Sequence, residues 1–265
     1  MRYCSLGSGS RGNATLVEYG DTRLLIDCGF SLRATEQRLA QAGLGADQLS
    51  AILVTHEHSD HISGVERLAR RYGLPVHMTA GTRQGMGASD LPVELLRFGE
   101  SIDIGEIRIT PVPVPHDARE PSQFIFDSGY HRLGVLTDTG SITPLIREMY
   151  SGLDALFLEA NYDPLMLASG PYPRSVQARV GGALGHLSNR QAAGLLESID
   201  IGSLQQIVIA HISEKNNRPE LAREALSSVL DGWAGQLQLA VQNQGLPWQS
   251  MTETPQPQSA CIGIR

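Results

Sequence analysis

Three histidines and an aspartate crowd into the six positions 56–61 of Thr55-His56-Glu57-His58-Ser59-Asp60-His61. Imidazoles at positions i and i+2 of an extended loop can point the same way, and Asp60 with His61 directs a second group of ligands beside them. One loop can therefore serve two ions. Further along the chain, His116, Asp138 and His211 each stand just past an apolar run, at 112–115, 133–137 and 207–210. That placement holds polar ligands at the rim of a rigid core. Imidazole and carboxylate donors without thiolate suit Zn²⁺, with Mn²⁺ as the competitor where more oxygen ligands complete the shell. Two such ions close together share a bridging water whose pKa falls towards neutrality, and they clamp the oxygens of the transition state. The chemistry is hydrolysis.

The elements needed to position these residues are legible in the same stretches. An apolar strand over 50–55 runs straight into the His cluster, and 62–72 reads as a helix with Ile62, Val65, Leu68 and Ala69 on one face, so the cluster lies on a strand-to-helix loop. Residues 14–19 and 22–27 flank Gly20-Asp21 as a hairpin, and 32–42 reads as a helix. Strands are expected at 75–79, 102–114, 123–126, 132–137, 154–159, 206–210 and 237–241. Ser188 is an N-cap for a helix through Ile199, and Pro219 opens another that runs to Leu230. This alternation predicts an α/β protein, a four-layer αββα sandwich, with no internal repeat visible in the residues.

The chain has 265 residues, 41% of them hydrophobic and 18% charged, enough to bury one large core. We expect a catalytic domain over 1–245 and a poorly ordered tail over 246–265, where Pro, Gln, Ser and Thr dominate. A formal net charge of −7 argues against coating nucleic acid or an anionic membrane by bulk attraction, so any phosphate binding is local. Cys4, Cys28 and Cys261 are too few for a disulfide framework. With no signal peptide or transmembrane segment in view, a cytoplasmic protein is expected, its oligomeric state open.

The ligand order resembles that of the metallo-β-lactamase superfamily over nearly the whole folded chain. By that resemblance His56, His58 and His116 hold one metal, Asp60, His61 and His211 hold the other, and Asp138 bridges them. Asp27, in Leu25-Ile26-Asp27-Cys28-Gly29, is expected to order the metal loop by hydrogen bonding. Five further segments are similar to the YycJ-like (WalJ) branch: Ser8-Gly9-Ser10-Arg11-Gly12-Asn13, Glu159-Ala160-Asn161-Tyr162-Asp163, Gly170-Pro171-Tyr172-Pro173, Gly185-His186-Leu187-Ser188-Asn189 and the run 210–217. The branch implies 5′-to-3′ exonuclease activity, with DNA ends as the partner. One departure is Gly181-Gly182-Ala183-Leu184, where the branch usually carries an acidic residue; it bears on fine substrate preference.

Spacing argues against other subtypes. The stretch from His116 to Asp138 is too short for the tRNA-binding arm of a ribonuclease Z, and that from Asp138 to His211 is too short for a β-CASP insertion. After His211 there is no room for the helical domain of a glyoxalase II, and Asp138 stands where zinc β-lactamases are expected to have Cys. His186 has the His-x-Ser/Thr setting of the proton-donating His of ribonuclease Z, and with Asp60 it is the expected catalytic residue; a helix-cap histidine is the alternative. Ser8, Ser10 and Asn13 on a Gly-rich loop could offer donors to a phosphate, or simply form a turn. Arg174, Arg179 and Lys215, the only lysine, could meet DNA phosphates. The same ligands would also serve hydrolysis of a small-molecule phosphodiester, lactone or thioester. A non-catalytic metal scaffold would be marked by a lost ligand, and none is lost.

Overall fold

A computed structural model describes residues 1–252 of the chain. Strands β1 (Arg2–Gly7), β2 (Ala14–Tyr19), β3 (Thr22–Ile26), β4 (Ala51–Leu53), β5 (Val76–Thr79) and β6 (Glu94–Leu96) lie side by side in sequence order in one sheet. Strands β7 (Ile102–Ile104), β8 (Ile107–Pro113), β9 (Ser122–Asp127), β10 (Arg132–Leu136), β11 (Ala155–Glu159), β12 (Gln206–Ala210) and β13 (Gln236–Leu239) do the same in a second, and β14 (Leu246–Ser250) returns to the first sheet beside β1. Each half starts antiparallel and turns parallel, from β3 to β6 in one sheet and from β10 to β13 in the other. The halves thus share a plan that the residues themselves do not repeat.

The period-2 alternation of side chains sorts the core into three layers. Val17, Leu24 and Ile26 of the first sheet meet Phe124, Val135 and Phe157 of the second in a cluster between the sheets. The alternate residues point outward: Leu16, Leu25 and Ile52 pack on Leu39, Val65 and Leu68 of helices, while Leu156, Leu158 and Ile207 pack on Ile146, Leu196 and Leu226 of others. Both faces of both sheets are covered, which is the expected αββα sandwich.

Most expected elements form, with three informative differences. The helix expected over 62–72 is split into a turn at Ser59–Ile62 and a helix at Val65–Tyr72. Gly64 stands at the break, where a Cβ would lie 2.1 Å from the Phe30 carbonyl oxygen and 2.6 Å from Cys28 Sγ. The strand over 102–114 is a hairpin, β7 and β8, turning at Gly105 with φ of 56°. The boundary at 246 needs correction, because Leu246–Ser250 is strand rather than tail. Its polar composition hides two anchors. Leu246 is buried, and the Trp248 indole donates to the Ala42 carbonyl at 2.8 Å beneath the Arg2 guanidinium, 4.3 Å from the ring centre. The rest of that range, 253–265, lies outside the described residues.

Candidate metal centre and catalytic cleft

The site gathers at the C-terminal ends of strands, as ligand sites do in open α/β sheets. Asp27 follows β3, the His cluster follows β4, Asp138 follows β10, Glu159 ends β11 and His211 follows β12. Asp27, Asp138 and His211 have φ of 59°, 51° and 50°, and they are the only non-glycine residues with positive φ among those described. That left-handed geometry costs about 1–2 kcal/mol per residue, so each turn is held by its surroundings. At His211 the amide donates to Ser8 Oγ (2.9 Å) and the carbonyl accepts from Asn161 Nδ2 (2.8 Å).

Each clustered imidazole has one nitrogen committed to an acceptor. His61 Nδ1 donates to Asp27 (2.7 Å), His116 Nδ1 to the Gly185 carbonyl (3.0 Å) and His58 Nε2 to the Asp117 carbonyl (3.2 Å). Thr55 Oγ1 donates to Asp27 Oδ2 (2.8 Å) and so accepts from His56 Nδ1 (3.0 Å). The opposite nitrogens keep their lone pairs, and these converge. His56 Nε2 lies 3.0 Å and His116 Nε2 3.3 Å from His58 Nδ1. A tetrahedral ion with bonds of about 2.0–2.1 Å spaces its ligand atoms about 3.3 Å apart, so this trio fits a metal. Beside it, His61 Nε2 is 3.5 Å from both Asp60 Oδ2 and Asp138 Oδ2, and His211 Nε2 is 4.0 Å from Asp60 Oδ2. Asp138 Oδ2 is fully buried without a hydrogen-bond partner, as an anionic oxygen awaiting a cation would be. Burial opposes its charge, yet His211 and His61 hold the Asp138 carboxyl well below the usual range. Burial likewise works against a charged His211, but Asp138 outweighs it and raises that imidazole to about 9.

The structure brings His56, His58, Asp60, His61, His116, Asp138 and His211 together as groups able to hold divalent metal. Of these, His58, Asp60, Asp138 and His211 border a cleft of about 320 Å³, together with Ser10, Ser59, Asp117, Arg179, Val180, Gly185 and His186. Of the other expected contacts, Ser10 and Arg179 border it. Ser8 is taken up by the His211 amide, and Asn13 is buried, with Nδ2 3.1 Å from His61 Nε2 and its own amide donating to the Asp60 carbonyl. Arg174 and Lys215 are exposed but do not border the cleft; the Lys215 ammonium lies 5.5 Å from the Tyr172 ring. Asp27 orders the loop as anticipated, joining Thr55 and His61.

Two residues escaped the sequence reading. Glu159, fully buried, accepts from His186 Nδ1 at 2.7 Å and from the amides of Leu187 (3.1 Å) and Thr139 (3.2 Å), fixing the orientation of that imidazole. Asp117 accepts from Arg179 Nε at 2.5 Å. The signal for Glu159 was its place at a strand end opening a quoted motif; Asp117 was flagged only by adjacency to His116.

Two layered sheets and a His/Asp centre at their strand ends define a metal-dependent hydrolase. Residues 22–212 match the family described as the beta-lactamase superfamily domain, and the chain belongs to it. Exodeoxyribonuclease YycJ of Bacillus anthracis is 36% identical over 236 residues, spanning 87% of this chain and 89% of that protein. Exodeoxyribonuclease WalJ of Streptococcus pneumoniae is 34% identical over 237 residues, 87% and 88% of the two chains. The solved metallo-beta-lactamase fold protein YhfI of Bacillus subtilis superposes with a TM-score of 0.72 at 16% identity, covering 94% of this chain and 99% of that one.

Proposed function

We propose that this protein is a DNA exonuclease that uses two divalent ions, Zn²⁺ or Mn²⁺, to release nucleotides with 5′ phosphates from a 5′ end. The observation that carries the reading is the pairing of the convergent His/Asp centre with a buried carboxylate–imidazole dyad, Glu159–His186, in one cleft. DNA as substrate, and the polarity, rest on the similarity to the exodeoxyribonucleases.

His56, His58 and His116 would hold one ion and Asp60, His61 and His211 the other, with Asp138 between them. When bound, such ions bring water towards ionisation at neutral pH and offset charge on a phosphoryl oxygen. The protein's own groups do the rest. Thr55, Asp27, Gly185 and Asp117 keep the imidazoles of His56, His61, His116 and His58, in that order, in the required tautomer. His186, with Nδ1 on Glu159, presents Nε2 as the nitrogen that protonates the departing 3′ oxygen. Loss of that oxygen leaves phosphate on the 5′ side of the next nucleotide. The test is a digest of end-labelled DNA by chelator-treated protein with Zn²⁺ or Mn²⁺ restored. Stepwise 5′-mononucleotides that require the ion support the reading, and metal-independent or 3′-phosphorylated products overturn it.

A further inference from the structure

Among the described residues, Arg179 is the only Lys or Arg that borders the cleft. Its Nε donates to Asp117 Oδ2 at 2.5 Å, and neither Nη group has a hydrogen bond among the described residues. The second oxygen of the same carboxylate, Asp117 Oδ1, lies 3.6 Å from His116 Nε2 and 3.7 Å from His58 Nε2. One short, half-buried carboxylate therefore ties the guanidinium to the metal-ligating cluster at a set offset. Arg179 itself is about two-thirds exposed, with a side-chain accessibility of 65%, and without that tie its long side chain would be free to sweep the cleft mouth.

A guanidinium carries five N–H donors in a planar fork. Committing Nε to Asp117 leaves the Nη pair, which is the edge that grips two oxygens of one phosphate. Held on Asp117, whose other oxygen is 3.6 Å from His116 Nε2, the guanidinium stands beside the metal-ligating cluster, within reach of a phosphate that neighbours the scissile one. At about 320 Å³ the cleft is at the small end for ligand sites, suited to one terminal nucleotide rather than a length of strand. A terminal phosphate monoester carries about −1.5 to −2 charges at neutral pH, more than the single charge of an internal diester. We propose that Arg179, positioned by Asp117, binds the 5′-terminal phosphate of the DNA strand and so selects phosphorylated over hydroxyl ends. This inference rests on the exonuclease reading above.

The experiment compares kcat/KM on 5′-phosphorylated and 5′-hydroxyl oligonucleotides of one sequence for the metal-loaded wild type, Arg179→Ala, Arg179→Lys and Asp117→Asn, with metal content measured in each. Wild type is expected to prefer the phosphorylated end by roughly 10- to 100-fold, the range of a hydrogen-bonded charged contact. Arg179→Ala should collapse that ratio, Arg179→Lys should keep part of it, and Asp117→Asn should lower it mainly through KM while metal content holds. A ratio of one in the wild type, or a ratio unchanged by Arg179→Ala, overturns the phosphate assignment and leaves the exonuclease reading intact. Failure of the wild type to degrade either end, while it still turns over bis(p-nitrophenyl) phosphate, overturns both.

Discussion

His56, His58, His61 and His116 each have a neighbour that fixes the imidazole proton, and the same logic extends to His186. Glu159 is buried among the amides of Leu187 and Thr139, so its carboxylate cannot swing away from His186. His186→Ala should keep the metals but slow DNA cleavage by about 10²-fold or more, with a smaller loss on an activated nitrophenyl diester that needs no proton. Glu159→Gln should show the same leaving-group dependence at unchanged metal content. Equal slowing of both substrates would remove proton donation as the role. The His/Asp grouping that the fold brings together was legible because His and Asp in such spacing are rare by accident. Glu159 was not, because its partner His186 lies 27 positions along the chain and only the fold closes that gap.

The loops that carry these residues are fixed by close backbone approach. Asn13 and Asp60 share an amide-to-carbonyl bond of 2.8 Å, and Gly29 packs so tightly there that a Cβ would stand 1.7 Å from the Asp60 carbonyl oxygen. Gly29→Ala should therefore destabilise the protein by on the order of 3 kcal/mol and weaken metal binding, as denaturant melts and metal titration would show. A variant as stable as the wild type would mean that the loop yields easily. Buried apolar runs such as β2, β3 and β11 were readable as strands, while which residue faces which layer came from the fold. Strands β1, β6 and β14 were not, since their identity comes from pairing with neighbours rather than from hydrophobic pattern. Ser188 was readable as a cap because the Ser188–Gln191 box is local, and the structure shows it closed.

Two parallel-ended sheets facing one another bring ligands from both halves of the chain to one rim, so metal binding should stabilise the assembled sandwich. Among the described residues, no helix is long and apolar enough to cross a membrane. Metal-loaded protein should contain two ions per chain and melt above the chelated form, whereas Asp60→Ala should retain about one ion. A stoichiometry of one under metal excess would contradict the paired centre. A net charge of −7 argues against gripping internal duplex by bulk attraction, and a single Arg and no Lys among the described cleft-lining residues would suit capture of an end. The most direct measurement of the exonuclease claim sets linear DNA beside covalently closed circular DNA of the same sequence, with Mn²⁺. Linear DNA should be degraded from its 5′ ends while the closed circle survives. Rapid cutting of the circle, or degradation only from 3′ ends, would contradict it.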